Sequence, residues 1–277
     1  MPVELAFEAL GEGPPVVILH GLFGAGRNWM QFAQALAGHY RVYLPDARNH
    51  GASGWAESMS YTDMAMDVAA LFDREALRQP FVIGHSMGGK TAMALALTQP
   101  QQIGGLAVID IAPEPYADQF SGYVAAMRSL DIEATSSRRE LQQALSARLG
   151  PEAPVDFLMQ NLRRHDERFD WRINLLAAGL CMGQLCGFPK TLADAQYDGP
   201  TLFVSGAESD YVRPSSEAGI RALFPHAEIQ SIADAGHWVH ADQPEALLLA
   251  LRDWLEEAGS PVSAWPQTMP QPLAARA

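Results

Sequence analysis

The stretch Phe81-Val82-Ile83-Gly84-His85-Ser86-Met87-Gly88-Gly89-Lys90 decides the fold. A short apolar run stops at a glycine, a serine stands midway between two glycines, and small residues follow. The run 81–83 reads as a buried strand, and the segment from Met87 to Leu97 as a helix. A strand that enters a helix so abruptly forces the corner residue into a strained backbone conformation. Glycines two before and two after that corner leave no Cβ to collide with the neighbouring elements. The Ser86 hydroxyl then projects from the carboxyl end of the sheet, beside the positive end of the helix. The bland alternative is a plain strand–turn–helix joint with an incidental serine; the flanking elements favour a nucleophile.

Working outward, further strands are expected at 16–19, 41–44, 106–109, 201–204 and 228–232. Helical spacing appears at 28–37, at 62–77 with Thr62 or Asp63 as cap, and at 244–257. Asp242 and Glu245 fit the N-terminal cap of the last helix. Strand and helix alternate, which predicts an α/β fold with a mainly parallel sheet covered by helices on both faces. The alternation breaks at Ala112-Pro113-Glu114-Pro115. From there to Lys190 the pattern is helical, with no strand expected. The expected organisation is a core of 1–113 and 191–258, an inserted helical cap at 114–190, and a tail at 259–277. The tail holds four prolines and no apolar period, so disorder is expected there.

Composition narrows the function. Of 277 residues, 48% are hydrophobic and 18% charged, enough to bury a large core. The net charge of −13 argues against nucleic acid or an anionic membrane as partner. The insert is nearly neutral, so that charge belongs to the core and tail. Cys181 and Cys186 are too few for a disulfide scaffold or a four-cysteine zinc site, and are expected to be reduced. No apolar run reaches membrane-spanning length, and the N-terminus lacks a basic segment followed by an apolar one. The expectation is a soluble cytoplasmic protein.

A serine hydroxyl needs a base. Of eight histidines, His237 follows Gly236 in the loop between the 228–232 strand and the last helix, at the carboxyl end of the sheet. That position makes it the candidate base. His85 is read as a packed neighbour that cannot share the side of Ser86. His237 and His240 alone do not make a metal site, and no metal is expected. The acid has two candidates. Asp110 ends the 106–109 strand, whereas Asp210 lies in the loop after 201–204. In the common Gly-x-x-Asp-x-x-Val pattern the acid is third after the glycine. Here Gly206 puts Ser209 in that slot, with Val212 confirming the register. Asp210 is one residue late, which favours Asp110, with Ser209 placed to bond Asp110 or His237. The developing oxyanion is expected on the backbone N–H groups of Met87 and Leu22, with Phe23 as second choice for the latter. Met159 and Trp171 of the insert, with Phe23, are candidate substrate contacts. Asp46 and Arg48 are read as a locally paired loop.

Together, His20-Gly-Leu-Phe-Gly, Asp46-Ala-Arg-Asn-His-Gly, Gly84-His-Ser-Met-Gly-Gly-Lys, Ile109-Asp-Ile-Ala-Pro and Gly236-His-Trp-Val-His resemble the α/β-hydrolase superfamily. Within it they are similar to cap-bearing esterases acting on short acyl chains, acyl thioesters included. The resemblance implies that the acid follows the strand after the nucleophile and that a serine takes the usual acid slot, as Asp110 and Ser209 do. It implies a serine hydrolase that cleaves small to medium esters or thioesters through an acyl-enzyme, with no cofactor and a small-molecule substrate as partner. The rivals are carbon–carbon bond hydrolysis or cofactor-free perhydrolysis on the same scaffold, and a non-catalytic small-molecule receptor.

Overall fold

The computed structural model describes residues 1–134, 137–166 and 168–259. Most of the expected tail, residues 260–277, lies outside the described residues.

Among the described residues, nine strands form two sheets. They are β1 (Phe7–Leu10), β2 (Pro15–Leu19), β3 (Arg41–Pro45), β4 (Phe81–His85), β5 (Gly105–Ile109), β6 (Leu162–His165), β7 (Arg168–Trp171), β8 (Thr201–Gly206) and β9 (Ala227–Ile232). The main sheet has the order β1-β3-β2-β4-β5-β8-β9. Every neighbouring pair is parallel except β1 with β3. The edge strand β1 was not anticipated: four half-buried or exposed residues carry too little pattern to announce it.

The central strands are apolar on both faces because helices cover both. Val16 and Ile18 point to one face, Val17 and Leu19 to the other. The first face packs against α1 (Met30–Leu36) and against a long C-terminal helix, Pro244–Glu257. Trp29, Phe32, Leu36, Leu251 and Trp254 fill that layer. The second face packs against α2 (Tyr61–Arg74) and α3 (Met87–Thr98), through Met64, Val68, Phe72 and Met93.

Caps and pairs differ locally from expectation. The cap of α2 is Ser60, whose side chain accepts from Asp63 N, rather than Thr62 or Asp63. Gln243, not Asp242, precedes the last helix, and Asp242 accepts from Gly236 N at 2.9 Å. Arg48 does not pair with Asp46. It makes a two-pronged buried pair with Asp67 (2.5 and 2.7 Å), while Asp46 accepts from Gly26 N and Ala52 N.

Among the described residues, the α-helices between β5 and β8 are α4 (Ser121–Arg128), α5 (Arg138–Leu149), α6 (Val155–Met159), α7 (Leu175–Leu180) and α8 (Met182–Cys186). The expectation of no strand here is corrected by the antiparallel hairpin β6–β7. Its outward side chains are charged and only Leu162 and Phe169 are buried, so apolar alternation is nearly absent. After β8 come α9 (Glu217–Leu223), α10 (Val239–Asp242) and the C-terminal helix, hereafter α11. No helix among the described residues is long and apolar enough to cross a membrane.

Candidate active site

Ser86 is the hinge between β4 and α3, with φ 53° and ψ −117°, a region that L side chains rarely adopt. The two glycines make the corner possible. A Cβ on Gly84 would stand 2.3 Å from the Gly88 carbonyl oxygen, and one on Gly88 would stand 2.3 Å from that of Leu19. Ser86 N donates to Ile109 O (3.1 Å), which ties the hinge to β5.

The loop after β9 brings His237 to this hinge. Its Nε2 lies 3.1 Å from Ser86 Oγ, and its Nδ1 lies 2.7 Å from Asp110 Oδ2. Asp110 is fully buried one residue beyond β5, at φ 50°. Its Oδ1 accepts from Gly206 N (3.0 Å), and its Oδ2 also accepts from Ser209 Oγ (2.5 Å). The two carboxylate oxygens are thus met by three polar hydrogens inside the protein. With Nδ1–H donated to Asp110, the Nε2 lone pair faces Ser86. Asp210 is exposed and turned towards Arg213 (3.6 Å), away from this group.

Several neighbours take roles here that the sequence does not state. His85 Nε2–H donates to His237 O (2.9 Å), so this packed neighbour holds the backbone of the base. Tyr211 stacks on the His237 ring at 4.1 Å. His240 stacks on Trp29 at 4.5 Å. Burial, then the neighbouring His237, pulls His240 down to about 4; burial likewise holds His85 well below the usual imidazole range. Lys90 is buried four residues past Ser86, and burial lowers its ammonium to about 8. Lys90 stands in the stretch 81–90, but nothing local in the sequence marks it as internal.

The loop after β2 closes the other side. His20 Nε2 accepts from Ala47 N (2.9 Å), so its Nδ1–H donates to Gly21 O (2.8 Å) and shapes the turn. Burial keeps His20 below its ordinary range. Leu22 N has no acceptor among the described residues, and Met87 N is the first amide of α3. Phe23, at φ 63°, is buried against Phe120 and Tyr123, and lines the cavity over Ser86. Met159 and Trp171 do not line that cavity. Met159 is buried in the insert, where its carbonyl accepts from Arg138, and Trp171 sits half-buried on β7. Phe157 and Leu158 of α6 line it instead, with Trp238. Among the described residues, no group of three or more His, Cys, Asp or Glu side chains is placed to hold a metal ion. Cys181 and Cys186 are both free thiols.

Residues 14–244 match the family model described as alpha/beta hydrolase fold. The chain is 38% identical over 265 residues to the sn-1-specific diacylglycerol lipase ABHD11 of Mus musculus, covering 92% of this chain and 86% of that one. It is 33% identical over 244 residues to Esterase YbfF of Escherichia coli, covering 88% and 93% respectively. A solved marine microorganism esterase superposes with a TM-score of 0.88 at 35% identity, over 91% of this chain and all of that one. The chain belongs to the α/β-hydrolase family, among relatives named as esterases and lipases.

Proposed function

We propose that the protein is a serine carboxylesterase that cleaves small to medium carboxylic esters or thioesters through an acyl-enzyme. The observation that carries this is the unbroken chain of contacts Ser86 Oγ–His237 Nε2 and His237 Nδ1–Asp110 Oδ2, at 3.1 and 2.7 Å. Ser86 attacks the carbonyl carbon while His237 Nε2 takes the hydroxyl proton. Asp110 holds the imidazole tautomer and stabilises the imidazolium that forms. Ser209 and Gly206 N hold Asp110.

The tetrahedral oxyanion is received by the amides of Leu22 and Met87, each such donor contributing about 3–4 kcal/mol. Both belong to backbone already fixed by the Ser86 corner and by His20, so they need not reorganise as charge develops. The imidazolium then protonates the leaving alcohol or thiol. Water, deprotonated by the same imidazole, releases the acid and restores Ser86. Residues 114–190 serve as the cap: Phe120, Tyr123, Phe157 and Leu158 shelter the reacting carbonyl from water and contact the substrate.

Hydrolysis of p-nitrophenyl acetate and butyrate tests the proposal. The wild-type protein is expected to turn over, and Ser86→Ala to lose at least about 10³-fold in kcat. A Ser86→Ala protein as active as wild type would exclude this mechanism. A panel that also includes a carbon–carbon bond substrate and a perhydrolysis assay separates the esterase from other reactions on the same scaffold.

A further inference from the structure

The loop that presents Leu22 is held from two sides. From the core, His20 Nδ1–H donates to Gly21 O (2.8 Å), and Gly24 N closes a turn on the same carbonyl (3.0 Å). Leu22 and Phe23 are the central residues of that turn. Phe23 stands at φ 63°, in the left-handed region, where glycine is usual at this place in a turn. A phenylalanine there is strained and persists only where its surroundings over-determine it.

The insert supplies those surroundings. The Phe23 ring packs against Phe120 and Tyr123. Its carbonyl oxygen accepts from Asn161 Nδ2 (2.8 Å) and from Gln160 Nε2 (3.1 Å). Both lone pairs are thus filled, by two side chains that directly follow α6. Neither donor is loose. Asn161 is buried, its amide also donates to Leu158 O (3.2 Å), and its backbone oxygen accepts from Arg172 N (2.7 Å). Gln160 accepts at Oε1 from Asn28 Nδ2 (2.8 Å) and at its backbone oxygen from Arg27 (2.8 Å).

We infer that Asn161, aided by Gln160, is a positioning residue for the oxyanion hole: it fixes the turn that aims Leu22 N at the reacting carbonyl, so the insert builds half of the hole. This rests on the serine-hydrolase mechanism above. The other half, Met87 N, belongs to the Ser86 corner of the core. An oxyanion donor acts at full strength only within hydrogen-bond range of the developing charge. A small shift of the turn therefore weakens Leu22 N without disturbing Ser86, His237 or Asp110. Removing Asn161 Nδ2 permits that shift, because a buried carbonyl that has lost a donor gains by moving to find another.

The clamp is separate from the bonds that seat the insert elsewhere. Lys90 Nζ donates to the carbonyls of Glu114 (2.9 Å), Cys186 (3.2 Å) and Gly187 (2.6 Å), near the two ends of the insert. Asn174 Nδ2 donates to Asn49 Oδ1 (3.1 Å). None of these bonds involves residues 20–24. Phe157 and Leu158, which line the cavity over Ser86, lie on the helix that runs into the clamp. One short segment of the insert thus meets both the substrate and the loop of the oxyanion donor.

The test uses Asn161→Leu, which removes the donor and keeps a branched side chain. It measures kcat/KM on p-nitrophenyl butyrate, its pH profile, and Ki for a trifluoromethyl ketone, whose hemiketal oxygen takes the oxyanion position. Folded Asn161→Leu should lose about ten- to a hundredfold in kcat/KM. Ki should rise by about the same factor, as for any interaction made in the transition state. The acid limb of the profile should stay in place, since His237 and Asp110 are untouched. Asn174→Ala, which cuts the insert from the core elsewhere, should stay within about threefold of wild type in both constants. Gln160→Leu, at a half-buried position, should raise Ki and lower kcat/KM together by at least about threefold, and it decides the matter if Asn161→Leu does not fold. Wild-type constants in the deciding variant overturn the proposal. So do equal losses in Asn161→Leu and Asn174→Ala, a fall in kcat/KM with Ki unmoved, or a displaced acid limb, each the mark of a generally loosened fold. A folded wild-type protein that turns over no ester and takes no fluorophosphonate removes instead the serine-hydrolase mechanism itself.

Discussion

Ser209 Oγ and Asp110 Oδ2 stand 2.5 Å apart across 99 residues of chain. The loop after β8 therefore delivers a hydroxyl to the same point that Asp110 reaches from the end of β5. In the proposed mechanism only one carboxylate orients His237. Asp110→Asn should cost about 10³–10⁴-fold in kcat, because the amide no longer holds the required tautomer. Asp210→Asn should stay within about twofold of wild type, since its side chain is exposed and faces Arg213. Steady-state kinetics on a p-nitrophenyl ester compares them; equal losses would contradict the assignment of the acid.

The closeness of Ser209 to that carboxylate predicts a relocation. Ser209→Asp placed in an Asp110→Asn background should recover at least about tenfold of the lost kcat, because a carboxylate again comes within reach of His237 Nδ1. Recovery is read as kcat with folding checked by circular dichroism. A double variant no better than Asp110→Asn alone would show that the β8 loop cannot supply the acid.

His240 predicts an acid-labile component of stability. Its folded value of about 4 lies below the ordinary value of 6.5. Between those values the unfolded chain binds more protons than the folded one, so stability rises with pH across this window and is lost as pH falls through it. The slope approaches one proton, about 1.4 kcal/mol per pH unit. His240→Phe keeps a ring against Trp29 and removes the proton. Denaturant unfolding at pH 7 and pH 5 should show a smaller difference for this variant; an unchanged difference would contradict the burial of a neutral imidazole there.

Asp67 and Arg48 predict a large structural loss. Both are buried, and Asp67 is the carboxylate that meets the guanidinium on two prongs. Asp67→Ala removes the two-pronged partner of buried Arg48 and leaves it only the carboxylate of Asp63, 3.9 Å away, so it should destabilise by about 3 kcal/mol. Denaturant unfolding measures it, and a loss within about 0.5 kcal/mol would contradict the pair's contribution.

What was legible in the sequence was whatever short-range chemistry decides. The Ser86 corner needs its glycines, the central strands need apolar side chains on both faces, and the Gly206 register sets Ser209 where an acid is usual. Those constraints are local, so the β4–α3 joint, the parallel core strands and the candidates Ser86, His237 and Asp110 were all visible. Long-range choices were not. Arg48 takes Asp67 instead of the nearer Asp46 because a helix packs that carboxylate beside it. Asp242 reaches back to Gly236 instead of capping α11. Phe157 and Leu158, rather than Met159, face the cavity because α6 is placed by its neighbours, and an apolar run does not state which of its members turns inward. The β6–β7 hairpin hid behind Arg163, Arg164 and Arg168, whose charges erase the alternation of a half-buried strand.

The most direct measurement of the central claim is fluorophosphonate labelling followed by intact-mass and peptide mapping. Folded wild-type protein should gain one adduct, on the peptide that contains Ser86. His237→Ala should label far more slowly, and Ser86→Ala should take none. An adduct of equal yield on Ser86→Ala, or a wild-type protein that stays unlabelled while folded, would contradict Ser86 as a nucleophile activated by His237.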